Sequence, residues 1–374
     1  MYNKEWLYNL YVRQQADEAL YEGAIDEEAH KAIYRAKPAP FYTPNIFVRI
    51  GMGIAVFIMA LFGLGFISLV FLTSDGGEHV EQVFGVLVLL LAGSCLFIGV
   101  QMIQNRHDYN SGRDNMLLWL AGLGTFAGIV LITHGDASYP VAYSLLAMLI
   151  AGTLAFVFID MLMSVLAFLA LLSLIYLVCG KAGAVGQGIA SFAIMGVSGV
   201  VYYLLTPAER LRPLFRNCFY YVRLVALLTL YAAGNYYIVC KAATGFSGYT
   251  EATITGGLGI FFWVCTFGIP LVYLAIGIRK RELMLMRAGA LLLVAGVLTF
   301  RQYHSVLPAE IALSVGGIIC IVIAYWLLNY LENGRAGFTA QKGFAGYDKK
   351  AIELLLEDRL LNNKDENRHD AMHR

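Results

Sequence analysis

The stretch PVAYSLLAMLIAGTLAFVFIDMLMSVLAFLALLSLIYLVCG, residues 140–180, carries a single charged side chain, Asp160. A helix crossing a bilayer needs about 20 mostly apolar residues. The run is therefore too long for one crossing and reads as two, folded into a tight hairpin that turns at Asp160. Without that turn the chain has nine spans; with it, ten.

The same pattern extends in both directions. Expected spans cover residues 47–72, 82–103, 116–133, 140–158, 161–179, 187–205, 219–240, 254–278, 283–300 and 308–330. Residues 1–45 hold 12 charged side chains and residues 331–374 hold 16, leaving 25 for everything between. Apolar residues make up 59% of the 374 and charged residues only 14%, about half the share usual in soluble domains. A soluble fold of this size cannot bury so much apolar surface, which excludes an ordinary cytoplasmic enzyme and a secreted disulfide scaffold. The expected fold is all-α, a polytopic transmembrane helical bundle of about ten spans (46–330). A cytoplasmic helical hairpin (1–45) precedes it, and a cytoplasmic tail with one amphipathic helix (331–374) follows.

Sidedness follows from basic residues in short loops, because Lys and Arg resist translocation. One face holds Arg106, Arg113, Arg210, Arg212, Arg216, Arg223, Arg279, Lys280, Arg281 and Arg287; the other holds Lys181, Lys241 and Arg301. The basic face is shared with both tails, so both termini are expected in the cytoplasm. An acidic first loop, with Asp75, Glu78 and Glu81, then lies outside. The first 45 residues lack the apolar core of a cleavable signal, and the first span is expected to be its own export signal. Six cysteines (Cys95, Cys179, Cys218, Cys240, Cys265, Cys320) form no CxxC pair and read as small packing residues.

In the N-terminal segment, Lys4–Glu22 reads as a helix with an apolar patch of Trp6, Leu7, Leu10 and Tyr11, stopped by Gly23. Asp26 is placed to cap a second helix whose first turn carries Glu27 and Glu28, and Pro38, Pro40 and Pro44 end it. This hairpin is either a dock for a partner protein or a lid on the cytoplasmic loops. In the C-terminal tail, Ile352, Leu355, Leu356 and Leu360 share one helical face from Asp348 to Leu361. The balanced charge of that helix suits packing on protein better than on anionic lipid.

The segments Glu22-Gly23-Ala24-Ile25-Asp26-Glu27-Glu28 and Pro44-Asn45-Ile46-Phe47-Val48-Arg49, the latter leading into a Gly-rich first span, are similar to a family of uncharacterised polytopic bacterial membrane proteins, a domain of unknown function. Arg301-Gln302-Tyr303-His304 before a last span that opens Leu307-Pro308-Ala309-Glu310, carries Gly316-Gly317 and ends near Tyr330 adds to the resemblance. It implies a bacterial inner-membrane location with cytoplasmic tails and names no substrate.

Ionisable and polar groups near apolar spans are costly and mark sites. Asp160 reads as a helix cap at its turn or as a proton or cation site. Arg301, His304 and Glu310 cluster at the outer end of the last hairpin, either as a loop clasp or as an outward-facing anion or proton site in which His304 titrates. Asn235, between Gly234 and Tyr236 in the seventh span, reads as interhelical glue. Arg287 is expected to snorkel to the cytoplasmic surface. Pro270 is expected to kink the eighth span, as in broken carrier helices. Gly124–Gly128 is a GxxxG motif, and close packing within one chain is expected to explain it together with Gly51, Gly53, Gly63, Gly65, Gly196, Gly199, Gly256 and Gly259.

Gly196-Val197-Ser198-Gly199 and Gly245-Phe246-Ser247-Gly248 have the shape of a nucleophile motif, but no span carries a histidine at mid-depth to serve as base. The seven histidines are scattered, with no metal-ligand spacing, and there is no phosphate-binding Gly-Lys loop or nucleic-acid signature. No catalytic residue, cofactor or metal is therefore expected. Two functions remain: a carrier or permease-like protein for a small solute, and a non-catalytic membrane scaffold or subunit that recruits a partner through its cytoplasmic tails. The lipid bilayer is the one partner common to both.

Overall fold

The computed structural model describes residues 2–21, 23–72, 80–135, 138–181, 183–247 and 256–303, with residues 317, 318, 321, 322 and 325 beyond. The expected tenth span, His304, Glu310, Cys320 and the whole tail 331–374 lie outside the described residues. The described chain divides into two compact units. One comprises residues 2–8 and 39–303; the other comprises residues 9–38 and the few positions from 317 onward. The segment expected as one piece, 1–45, is thus split. Tyr2 and Leu7 are buried among side chains of the apolar helices, whereas residues 9–38 close on themselves.

That closure follows from the caps. Helix α1 (Lys4–Tyr21) ends where Gly23, at φ 73°, turns the chain, with Gly23 N–H donating to Leu20 O and Ala24 N–H to Ala19 O. These two bonds are the Schellman pattern that a left-handed glycine permits. Helix α2 (Glu27–Ala36) is capped by Asp26, whose carboxylate accepts from Ala29 N–H at 2.7 Å. Arg13 then reaches back to the carbonyls of Lys37 and Tyr34 and lies over the Tyr34 ring. Asp17 accepts from the Tyr34 hydroxyl and contacts the His30 ring.

The larger unit is a succession of apolar helices: α3 (Ile46–Leu72), α4 (Val80–Arg106), α5 (Arg113–Ile132), α6 (Pro140–Phe158), α7 (Met161–Gly180), α8 (Gly183–Leu211), α9 (Arg216–Gly234), α10 (Tyr236–Ser247), α11 (Gly257–Lys280) and α12 (Leu283–Tyr303). Eight of them, all but α9 and α10, are long and apolar enough to cross a membrane. The 140–180 stretch does form two helices, α6 and α7, turning at Ile159 and Asp160. The expected seventh span is interrupted at Asn235, which separates α9 from α10. Helix α11, by contrast, runs unbroken through Pro270. Short links make consecutive helices hairpins: α4 packs on α5, α6 on α7, α8 on α9 and α11 on α12.

Side chains facing outward, such as Phe47, Phe62, Phe66 and Leu69 on α3, are large and apolar, the reverse of a soluble surface. Interior contacts are close where glycine allows it. A Cβ on Gly128 of α5 would stand 2.7 Å from Leu89 Cγ and 2.9 Å from Gly85 O of α4, and one on Gly124 would stand 3.1 Å from the Ala92 Cβ. The GxxxG pair is thus spent on packing within the chain. The expectation that internal packing explains every paired glycine does not hold. A Cβ at Gly51, Gly63, Gly65 or Gly196 would meet nothing within 4 Å, because these glycines face outward. Gly112, at φ 91°, is the tightest point: its Cβ would fall 2.0 Å from Arg49 O, so the entry to α3 rests directly on the α4–α5 link.

Replacing Gly128 with Leu is expected to overpack the α4–α5 seam, costing about 1–3 kcal/mol and lowering the thermal midpoint of the purified protein in detergent. Gly63→Ala leaves that midpoint unchanged.

Candidate functional site

Helix α9 presents Arg223, Leu227, Tyr231 and Asn235 at four-residue spacing, a single stripe along the helix. At its far end the helix breaks. Asn235 adopts an extended backbone (φ −80°, ψ 125°) and starts α10 as its cap: its Oδ1 accepts from Ile238 N–H at 3.2 Å and its carbonyl from Val239 N–H at 3.0 Å. The Asn235 amide donates to the Tyr231 hydroxyl at 2.9 Å and to Thr299 Oγ1 of α12 at 3.0 Å. The Tyr236 N–H exposed by the break donates to Thr266 Oγ1 of α11 at 3.1 Å. Asn235, Thr266 and Thr299 are all buried. The expected interhelical role of Asn235 is present, but the residue also ends one helix and begins the next.

Arg223 stands three turns back along the same stripe. Counted with the loop arginines as an orientation signal, it is in fact only 5% exposed. Its two terminal nitrogens form ion pairs with Glu209 of α8 and with Glu282 in the link before α12. Its guanidinium lies 4.9 Å from the Tyr202 ring centre, and the Tyr202 hydroxyl donates to Glu282 at 3.1 Å. Arg223 Nε has no hydrogen-bond partner among the described residues. The cluster carries one positive and two negative charges. Between it and the Asn235 layer lie Leu227, Tyr273, Leu285, Ala288 and Leu292, packed as one apolar group, with the Tyr273 hydroxyl donating to Leu227 O at 3.1 Å.

A second polar group gathers around the start of α5. Asp114 is fully buried and accepts from the Tyr2 hydroxyl at 2.9 Å, Asn110 N–H at 2.8 Å, and Ser111 N–H and hydroxyl at 2.9 and 3.1 Å. Neighbouring Asp108 pairs with Arg113 at 2.9 Å. Tyr2 sits edge-on to Tyr109 and Phe41, and Trp6 edge-on to His107. Burial foremost, then the Asp114 carboxylate beside it, pushes the Tyr2 phenol far up. Burial likewise takes Tyr109 to about 12. Residues 2–7 thus lie as a lid on the links of this unit.

Asp160 caps α7, accepting from Met163 N–H at 2.8 Å, and also accepts from the Trp119 indole at 3.2 Å. It is buried rather than water-facing. Burial raises its carboxyl above the ordinary value despite the bonds from Met163 and Trp119, which pull the other way. Arg301 lies half-buried near the end of α12; its expected companions, His304 and Glu310, fall outside the described residues. Ser198 is buried with its hydroxyl 3.0 Å from that of Thr229, a helix-to-helix bond with no base in it. Arg287 is exposed. Among the described residues no three His, Cys, Asp or Glu side chains converge for a metal ion.

The sequence reading missed Glu209 and Glu282 because each sits by an arginine-rich link and passes for a solvated loop residue, and Tyr202 because it lies among the apolar residues of an expected span. The signal for Arg223 was its four-residue spacing from Leu227, Tyr231 and Asn235. The signal for Asp114 was the Ser111-x-x-Asp114 spacing of a capping box.

All-helical among the described residues, with eight helices there of membrane-crossing length and apolarity, the chain has the architecture of a multi-pass membrane protein. No family model matches it, and no curated protein or solved structure does either.

Asp160→Ala is expected to cost about 1 kcal/mol through the lost cap, read as a lower thermal midpoint. Because the folded carboxyl is raised, its favourable contribution exists in acid and is lost as pH rises through the folded value. Asp160→Asn keeps the cap without that charge, and its midpoint at pH 7 is expected to equal or exceed the parent's.

Proposed function

We propose that this chain is a multi-pass carrier for a small solute, with ten crossings and both termini on the cytoplasmic side of a bacterial inner membrane. In this reading α9 and α10 together make the seventh crossing and residues 308–330 the tenth. The basic links then lie inside, and the resemblance to polytopic bacterial membrane proteins agrees with that location.

The observation that carries the reading is the helix break at Asn235. Irregular backbone at membrane depth is tolerated only where protein or a water-lined path surrounds it, and discontinuous helices are where carriers bind their substrates. Here the break is surrounded by donors and acceptors that form no charge: an amide, a phenol and two threonine hydroxyls, contributed by α9, α11 and α12. Such a set suits a polar solute held by hydrogen bonds. No strong nucleophile with a base accompanies it, so chemistry on the solute has no support.

The test is uptake into liposomes containing the purified full chain, screened with radiolabelled amino acids, carboxylates, sugars and nucleosides. One class is expected to accumulate. Asn235→Leu is expected to lower its initial rate by about tenfold, equivalent to about 1.4 kcal/mol, while Gly63→Ala leaves it unchanged. Absence of uptake for every class overturns the carrier reading.

A further inference from the structure

Four of the helices around the Asn235 break act as two pairs. Helices α11 and α12 touch along glycines: a Cβ on Gly277 would lie 2.9 Å from Met286 N, and one on Gly289 would lie 3.0 Å from Leu274 N and from Pro270 O. Such backbone-to-backbone approach leaves no room for sliding, so the two move as one body. Helices α8 and α9 form the other pair, tied by Ser198 and Thr229.

Polar connections between the pairs occur at three levels. At the Asn235 end, Asn235 holds Thr299 and Tyr236 N–H holds Thr266. At mid-length, the Tyr273 hydroxyl holds Leu227 O. At the other end, Arg223 and Tyr202 hold Glu282. The first two levels are neutral hydrogen bonds. Only the last is ionic, and it lies where α9 begins and where α11 turns into α12.

We infer that Arg223, Glu209 and Glu282 form the inner gate of the solute path, an ionic clasp that holds the α11–α12 pair against the α8–α9 pair and shuts the Asn235 layer off from the cytoplasm. The inference rests on the carrier reading and deepens it. Arg223 is the pivot because it is the cation that pairs with a carboxylate on each side: Glu209 lies on its own pair and Glu282 on the other. When the Glu282 bond opens, Arg223 keeps Glu209 and is not left as an unpaired buried cation. That matters because a buried charge stripped of all partners is strongly destabilising. Glu282, the more exposed of the two carboxylates at 25% against 15%, is the partner that water can take over. Immediately behind the clasp, Leu227, Leu285, Ala288 and Leu292 form the apolar seal that separates it from the break.

The gate is tested by cysteine labelling in inside-out vesicles, with no solute needed. Leu227→Cys, one turn behind the clasp, is exposed to a membrane-impermeant maleimide in the full-length chain, with the chain lacking that cysteine as background. Leu227→Cys is expected to label slowly. Adding Glu282→Gln is expected to raise the rate at least about tenfold, while the conservative Glu282→Asp, which keeps the charge, is expected to stay nearer the parent rate. Leu172→Cys, buried where α7 meets α9, reports general loosening and is expected to stay slow in every background.

Equal labelling of Leu227→Cys with and without Glu282→Gln overturns the gate. So does a rise shared by Leu172→Cys, which marks unfolding. Solute uptake with unchanged labelling overturns the gate while leaving the carrier. A selective rise without uptake of any solute leaves a clasp with no path behind it and overturns both.

Discussion

A backbone amide that leaves its helix in a buried, dry place has no water to turn to, and an unmet N–H there costs several kcal/mol. The second half of this molecule is arranged around that constraint. Helix α9 stops at Gly234, and polar groups at the break find partners nearby: Asn235 caps α10 with its own side chain, Thr266 of α11 takes the Tyr236 N–H, and Thr299 of α12 takes the Asn235 side-chain amide. The break thus draws on α11 and α12 for its partners.

Polar groups sort by end. The ionisable ones, Asp108, Arg113, Asp114, Asp160, Glu209, Arg223 and Glu282, gather at links and near helix ends, while the Asn235 set, which has no ionisable carboxylate or guanidinium, lies farther along α9, beyond a band of Leu, Ala and Tyr. Counting from Arg216 at 1.5 Å per residue, Asn235 is about 28 Å along the helix axis, so the charged cluster and the neutral set lie toward opposite ends of α9.

The amino-acid sequence displays the helices well and their joints poorly. The turn at Asp160 is legible because one charged residue interrupts 41 that are otherwise uncharged, and the caps at Gly23 and Asp26 are legible because their chemistry is local. The interruption at Asn235 is not, since Gly234-Asn235 sits in a run of apolar and aromatic residues and its partners, Thr266 and Thr299, are 31 and 64 residues away. The Arg223 cluster is hidden for the same reason: Glu209 and Glu282 are 14 and 59 residues distant, and each stands beside arginines that advertise a water-exposed link. Pro270 sits inside α11, which continues through it, while the neighbouring helix breaks without a proline.

Gly112 has a bearing on the order in which the protein is made. Its backbone lies against the Arg49 carbonyl so closely that no other residue fits, and two positions later Asp114 takes the Tyr2 hydroxyl. Residues 2–8 thus have no resting place until the α4–α5 link, more than a hundred positions later in the chain, is in place. During synthesis residues 2–8 wait unseated, a window in which a chaperone or the insertion machinery has free access to them.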